Sequence, residues 1–347
     1  PQITPPKIHP WRYILILIIL GLGVHLLVPQ ITQLEHSWSV VKNLTWWAVA
    51  LALISQILSY LGNGFLLRSL VTSDQHHVST FKGALISLAS ASVGLVTGGW
   101  LAGAAVTYGW IKKDQKDGSD AILAGTLPSI LNNGMLLIAA LLGTLLLLIY
   151  HDLSKFQLIE FEIILLFLAV LAGVIFVTFQ FPEKMKNLLI QVLQFFAKFR
   201  RKPLKPEKIL NSLEQFLNSW HIFIKSNWVK PLLGAIVNIG FDILTLYFIF
   251  LAAGYFVNPG ILLAGYGLPL FLGKMAFIVP GGVGVVEGTM VALYDSLKVP
   301  NEVGVVVILG YRLISFWIPT ILGFIAAAFL TGKSSHKIIY PEQGDIK

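Results

Sequence analysis

The chain has 347 residues, and 56% of them are hydrophobic while only 12% are charged. Soluble domains carry about 25% charged residues, so this composition argues against a soluble protein and predicts an α-helical protein with several membrane spans. The net charge of +8 does not indicate nucleic-acid binding, because the basic residues have no soluble domain to display them. The absence of cysteine excludes disulfide bonds and thiolate chemistry.

Long apolar stretches follow one another along the chain, and about 20 apolar residues cross a bilayer. Spans are predicted at Tyr13–Val28, Leu44–Leu67, Ala121–Ile149, Ile163–Phe181, Pro231–Val257 and Val303–Leu330. The first is kept as a helix and not as a signal peptide, because no small-residue cleavage site follows it. Two further stretches, Phe81–Trp110 and Ile261–Leu297, are each broken in the middle, by Thr97-Gly98-Gly99 and by Pro280-Gly281-Gly282.

The distribution of basic residues orients these elements, since cytoplasmic loops are enriched in Lys and Arg. If the N-terminus is cytoplasmic and each broken stretch enters and leaves on one side, most of the 25 basic residues lie inside. Were the first broken stretch a simple span, the basic segment 182–230 would face outward. We therefore predict re-entrant hairpins at 81–110 and 261–297, with both termini in the cytoplasm.

This topology predicts an inverted repeat within a single integral membrane domain covering residues 1–347. The first half, 13–181, contains one hairpin, and the second half, 231–330, contains the other in the opposite orientation. The breaks align as Val96-Thr97-Gly98-Gly99 against Val279-Pro280-Gly281-Gly282. Paired broken helices in inverted repeats are typical of transporters.

The segment 182–230 between the halves is too polar to span a membrane. Its apolar residues recur at helical spacing with lysines opposite, which predicts two amphipathic helices on the inner leaflet. The basic cluster around Arg200-Arg201-Lys202 would attract anionic headgroups. The segment acts either as an anchored linker or in recruiting or regulating a lipid substrate.

The second broken stretch and the final span place two charges at membrane depth, Glu287 and Arg312. Charged side chains there cost ~2.5–3.5 kcal/mol on insertion scales, so they face the protein interior. In one interpretation they form a buried salt bridge that fixes helix register. In the other, Arg312 holds a phosphate and Glu287 sets polarity or carries a proton.

Other polar residues fall on the same apolar elements. Lys274 lies shortly before the second break and could approach the same cavity. Asn238 and Asp242 share a helix face at i, i+4 spacing, either as part of the site or as contacts between helices. Asn132 and Asn133 would lie near the tip of the first hairpin or satisfy a helix kinked by the preceding proline.

The glycines at the breaks permit positive φ and close backbone approach. The glycines that follow Pro280 either reverse the chain or present helix N–H groups to an anion. They are Gly281, Gly282 and Gly284. Thr97, Gly98 and Gly99 form the turn of the first hairpin, without a proline or charge. The sequence contains no G-x-S-x-G or H-E-x-x-H motif, so we expect neither enzyme activity nor a metal or other cofactor.

The run from Pro280 to Gly288, followed by a span with Arg312 in L-G-Y-R-L, resembles the lysylphosphatidylglycerol synthase transmembrane-domain family. The resemblance implies re-entrant hairpins and movement of lipids between leaflets, as in the flippase portion of the bifunctional bacterial enzyme. Pro280, Gly281, Gly282, Gly284, Glu287 and Arg312 are the positions that match. The chain has no aminoacyl-transferase domain, so we do not expect it to synthesise the lipid.

The leading functional hypothesis is a flippase for a phospholipid or a lipid-linked anionic headgroup. Its partners would be membrane phospholipids, anionic ones above all, and by resemblance it would reside in a bacterial inner membrane. The rival is a lipid-binding scaffold or regulator of a separate synthase or glycosyltransferase, and an intramembrane enzyme is a weaker third. A homo-oligomer or a partner synthase fits either of the first two.

Overall fold

A computed structural model describes residues 38–71, 78–97, 100–112, 119–150, 153–181, 191, 228–276 and 279–332. Every regular element in these ranges is helical. The α-helices are α1 (Trp38–Lys42), α2 (Trp46–Leu70), α3 (Thr80–Thr97), α4 (Trp100–Lys112), α5 (Ser119–Tyr150), α6 (Lys155–Gln180), α7 (Val229–Ala252), α8 (Pro259–Met275), α9 (Val285–Ser296), α10 (Asn301–Arg312) and α11 (Ile318–Gly332).

Four of the described helical segments are long and apolar enough to cross a membrane: Trp46–Leu70, Leu123–Tyr150, Val229–Ala252 and Asn301–Thr331. They confirm the predicted spans at Leu44–Leu67, Ala121–Ile149, Pro231–Val257 and Val303–Leu330. The stretch Ile163–Phe181 lies in α6, which is not among these four. The predicted span Tyr13–Val28 and nearly all of the segment 182–230 lie outside the described residues.

Each broken stretch contains two helices that pack against each other. In the first, Thr107 of α4 donates a hydrogen bond to Ser90 of α3 (2.7 Å). In the second, Gly273 of α8 lies against Val286 of α9, and Gly265 lies against Tyr294. Gly103 also lies against Gly94, nearer the first break than Thr107 and Ser90 are. In both stretches residues near the break contact each other and residues farther from it contact each other, so both helix pairs are antiparallel.

Helices α2 and α7 form an extensive contact. Gly62 on α2 faces Asn238 on α7, and Gly234 on α7 faces Leu66 on α2, so these helices also run antiparallel. A Cβ atom added at Gly234 would lie 2.7 Å from the Leu66 backbone. Small residues at such positions let helix backbones approach closely, which is how helices associate in lipid.

Each hairpin packs on a long helix from a distant part of the chain. Helix α8 contacts α5, where Gly267 lies against Ala140. Helix α3 contacts α11, where the Ser92 hydroxyl donates to the Thr320 carbonyl (3.0 Å). These contacts join the described helices into one bundle.

The outer surface of this bundle is apolar. Exposed large side chains include Trp46, Ile57, Ile163, Leu166 and Phe329. The interior contains a cluster of buried apolar residues from α2 and from α5 to α10. An apolar exterior of this kind fits contact with lipid, where hydrophobicity alone does not drive helices together.

Candidate functional site

The second break is a tight turn built from glycines. Pro280–Gly282 form one 3-10 turn, and Gly281 and Gly282 have φ values of 65° and 63°. Gly284, with φ 86°, directly precedes α9. A Cβ atom on Gly282 would lie 2.7 Å from the Gly273 Cα, so both the backbone angle and the space require glycine there.

Glu287 closes the start of α9. Its Oε2 accepts a hydrogen bond from the Gly284 N–H (2.6 Å). A glutamate at the third helical position often reaches back to the capping residue in this way, and it satisfies an N–H that the helix leaves free. Glu287 is completely buried, so this bond replaces one that water would otherwise make.

Arg312 joins the final span to the same turn. Its Nε donates to Glu287 Oε1 (2.5 Å), and its Nη2 donates to the Gly281 carbonyl (3.4 Å). The guanidinium lies 4.1 Å from the centre of the Phe316 ring, a cation–π contact. Only 3% of Arg312 is exposed. The predicted charges therefore meet each other, and together they bind both sides of the glycine turn.

The helix changes its winding directly after Arg312. Leu313–Trp317 form a π-helical turn, and Pro319 follows in α11. Proline has no N–H for the helical hydrogen-bond ladder, so a local change of winding before it accommodates the missing bond. π turns inside α-helices are frequent at functional sites.

A second charged cluster surrounds Asp242 in the middle of α7. Asp242 Oδ2 accepts hydrogen bonds from the phenols of Tyr266 on α8 (2.9 Å) and Tyr311 on α10 (3.3 Å). The other oxygen, Oδ1, is buried and has no hydrogen-bond partner within the described part of the chain. Gln56 on α2 and Lys274 on α8 also interact with this carboxylate.

Amide side chains connect the helices around that cluster. The Lys274 ammonium donates to Asn133 Oδ1 on α5 (2.7 Å). Asn132 donates to Asn63 on α2 (3.1 Å). Asn238 donates to the carbonyl and the hydroxyl of Ser59 (2.9 and 3.0 Å). Unlike the buried Arg312, the Lys274 side chain is exposed.

A small cleft of about 90 Å³ lies between α3 and the region around the π turn. Its lining comprises Tyr60, Leu88, Ala91, Ser92, Leu95, Ser315, Phe316, Pro319 and Thr320. The Phe316 ring that contacts Arg312 forms part of this wall, so the cleft adjoins the glycine turn. The hydroxyl groups of Tyr60, Ser92, Ser315 and Thr320 add polar groups to an otherwise apolar lining.

The predicted site residues thus fall into two neighbouring groups. Gly281, Gly284, Glu287 and Arg312 meet at the second break. Asp242 and Lys274 belong to the second cluster, which adjoins the first because Tyr311 directly precedes Arg312. Asn238 bonds to α2 and not to the Asp242 cluster. Thr97 ends α3, and Gly98 and Gly99 lie outside the described residues.

The sequence interpretation missed the groups that complete these clusters: Gln56, Tyr266, Tyr311 and Phe316. Tyrosine and phenylalanine are common in apolar helices, so they carried no signal of their own. The position of Tyr311 directly before a membrane-depth arginine could have marked it. No group of His, Asp or Glu side chains able to hold a metal ion occurs within the described ranges.

The helices able to cross a bilayer, together with charges buried between them, make this chain an integral membrane protein. The chain belongs to the family of the lysylphosphatidylglycerol synthase TM region, whose model matches residues 14–323. That match covers most of the 347 residues and confirms the resemblance seen in the Pro280–Gly288 motif.

Three archaeal proteins, each called a UPF0104 membrane protein, are similar to this chain. The protein of Methanocaldococcus jannaschii is 34% identical over 148 residues, which cover 41% of this chain and 44% of the relative. That of Pyrococcus horikoshii is 33% identical over 34% of this chain and 35% of the relative. That of Methanothermobacter thermautotrophicus is 25% identical over 55% and 57%.

The chain therefore spans between about a third and just over half of the length of these relatives. Because all three are archaeal, they do not support the expected bacterial inner membrane. Their names state a membrane location and no activity.

Proposed function

We propose that this protein moves a phospholipid, or a lipid-linked anionic headgroup, between the two leaflets of its membrane. The observation that carries the proposal is the band of polar side chains inside an apolar bundle, with an exposed Lys274 beside a broken helix. Ionisable side chains at membrane depth usually mark a pathway or a binding site. Membership in a family named for a lipid synthase fits a lipid as the substrate.

The arrangement of the hairpins supports a transporter of the inverted-repeat type. Antiparallel contact of α2 with α7, and the reciprocal pairs α8–α5 and α3–α11, are what a pseudo-two-fold axis between the halves would produce. In such transporters the substrate site lies where the broken helices of the two repeats meet. We propose that both hairpins re-enter the membrane and that both termini are cytoplasmic.

Lys274 is the cation best placed to bind the headgroup. Its side chain is exposed, and its ammonium group donates to one acceptor in the described structure, Asn133, so it can also bind a phosphate. Arg312 is buried and already donates to Glu287 and Gly281, which suits it to hold the turn in shape. The acyl chains would remain in the bilayer, and the process requires no bond-making chemistry.

Leaflet exchange in liposomes tests the proposal. Purified protein is reconstituted with headgroup-labelled anionic or neutral lipids, and a membrane-impermeant quencher reports the lipid exposed outside. Wild type is compared with Lys274→Gln and with Lys42→Gln, a matched control at the end of α1 and away from the break.

We expect wild type to accelerate exchange and Lys274→Gln to slow anionic exchange about tenfold to a hundredfold, since a hydrogen bond to a charged group contributes ~1.5–3 kcal/mol. Lys42→Gln should match wild type. Exchange equal to that of empty liposomes for every lipid would reject transport and favour the scaffold or regulator. If both lysine variants lose the same fraction of anionic lipid exchange, the proposed role of Lys274 in headgroup binding is contradicted.

A further inference from the structure

Asp242 is the least satisfied charged group among the described residues of the bundle. An ionised carboxylate can accept about four hydrogen bonds. Within the described structure the hydrogen bonds from Tyr266 and Tyr311 both go to Oδ2, and the buried Oδ1 has none. A carboxylate in an apolar interior is costly unless it is paired or becomes neutral by binding a proton. Glu287, in contrast, has a hydrogen bond to each oxygen.

The groups that face Asp242 do not supply a direct salt bridge. Helix α8 contributes Tyr266 and Lys274, α10 contributes Tyr311, and α2 contributes Gln56 and Tyr60. Lys274 is the cation among them, and its ammonium is hydrogen-bonded to Asn133. The nearby Arg312 is paired with Glu287. Uptake of a proton by the carboxylate would remove a charge that has no direct ion partner in this cluster.

A chain of hydroxyl groups connects Asp242 to the cleft. The Tyr311 phenol donates to Asp242 Oδ2, and the Ser315 hydroxyl, one turn further along the helix, interacts with that phenol. Ser315 lines the cleft, as does Tyr60. The π turn that begins at Leu313 includes Ser315, so the unusual winding of this helix forms part of the connection.

We infer that Asp242 is a proton-binding site filled from the cleft through Ser315 and Tyr311. A proton arriving on the Ser315 oxygen releases the serine proton to the Tyr311 oxygen, and Tyr311 passes its own proton to the carboxylate. Each oxygen breaks one O–H bond as it forms another, so the only net change is one proton added to Asp242. Rotation of the two hydroxyls restores the chain.

Proton binding at Asp242 also couples to lipid movement, a step that rests on the proposed function. The neutral acid would no longer attract the Lys274 ammonium, which would then be free to bind an anionic headgroup. Deprotonation would restore that attraction and release the lipid. The proton site and the coupling are separate claims, and they are measured separately.

The proton site is tested by infrared difference spectroscopy of the purified protein in lipid. A step in pH should change the C=O stretching band of a protonated carboxyl group, and Asp242→Asn should abolish that change. Ser315→Ala should keep the band but slow its appearance about a hundredfold or more, since a positioned proton-transfer group typically contributes about 10²–10⁴-fold. Tyr294→Phe, which removes a buried phenol outside the chain, is the matched control and should behave as wild type.

A band that is absent, or unchanged in Asp242→Asn, would overturn the proton site, and normal kinetics in Ser315→Ala would overturn the route. Folding of each variant is checked by its elution as a single species in detergent, and Ser315→Ala tests the route if Asp242→Asn fails this check. Coupling predicts that a pH gradient changes leaflet exchange in wild type and not in Asp242→Asn. If leaflet exchange in wild type has the same rate with and without the pH gradient, the coupling alone is overturned. If wild type shows no leaflet exchange, the proposed function is overturned.

Discussion

Arg312 and Glu287, which are 25 residues apart in sequence, form a nearly fully buried ion pair that ties the last span to the glycine turn of the second hairpin. The same two side chains bond to the Gly281 carbonyl and the Gly284 N–H, so backbone groups on both sides of Gly282 are satisfied. An irregular turn at membrane depth needs such partners, because lipid offers none.

Removing one member of this pair should destabilise the protein strongly. Arg312→Met leaves Glu287 buried without its charge partner, and we expect a loss of ~3–5 kcal/mol in the free energy of unfolding. Unfolding in detergent, followed by circular dichroism, measures this loss. The double variant Glu287→Gln with Arg312→Met should be more stable than Arg312→Met alone. A double variant no better than the single one would contradict charge pairing as the cause.

Two glycines of the same motif should respond oppositely to alanine. Gly282→Ala places a Cβ against Gly273 and forces a positive φ on alanine, which alone costs ~1–2 kcal/mol. Gly288→Ala lies in α9 with open space around it and should gain up to ~1 kcal/mol from helix propensity. Melting temperatures of the two variants in one detergent provide the measurement. Equal effects would contradict the turn geometry.

The α2–α7 contact allows a similar comparison on one helix. Gly234→Ala introduces a Cβ 2.7 Å from the Leu66 backbone, and overpacking of this kind costs ~1–3 kcal/mol. Gly240→Ala, further along α7, meets nothing within 4 Å and should leave stability unchanged or slightly higher. The readout is the fraction of protein that remains monodisperse after heating. Tolerance of Gly234→Ala would show that these helices are not so closely packed.

Two buried tyrosines differ in the hydrogen bonding of their phenol groups: Tyr266 donates to Asp242, whereas Tyr294 has no partner among the described residues. Tyr266→Phe removes a donor from Asp242, and we expect a loss of ~1–3 kcal/mol because the carboxylate loses a buried partner. Tyr294→Phe removes a hydroxyl without a partner within the described structure and should be neutral or stabilising. Denaturant titration of both variants distinguishes them. A larger loss for Tyr294→Phe would contradict the assigned bonds.

Hydropathy predicted the four described helical segments able to cross a bilayer, because membrane insertion depends on the summed transfer free energy of about 20 consecutive residues. The glycine run predicted a break, since positive φ is a property of the residue itself. The sequence also required Glu287 and Arg312 to face inward, because isolated charges are costly in lipid. Nothing in these local properties specifies which side chains meet.

Pairing depends on how helices distant in sequence lie in space, and only the tertiary structure decided it. Asn238 and Asp242 share a helix face, yet Asn238 bonds to Ser59, 179 residues away, and Asp242 accepts from Tyr266 and Tyr311. Both interpretations of Glu287 and Arg312 were compatible with their depth, and the fold brought the two charges into contact. Hydropathy specifies depth in the membrane, whereas a hydrogen bond requires two atoms within about 3 Å.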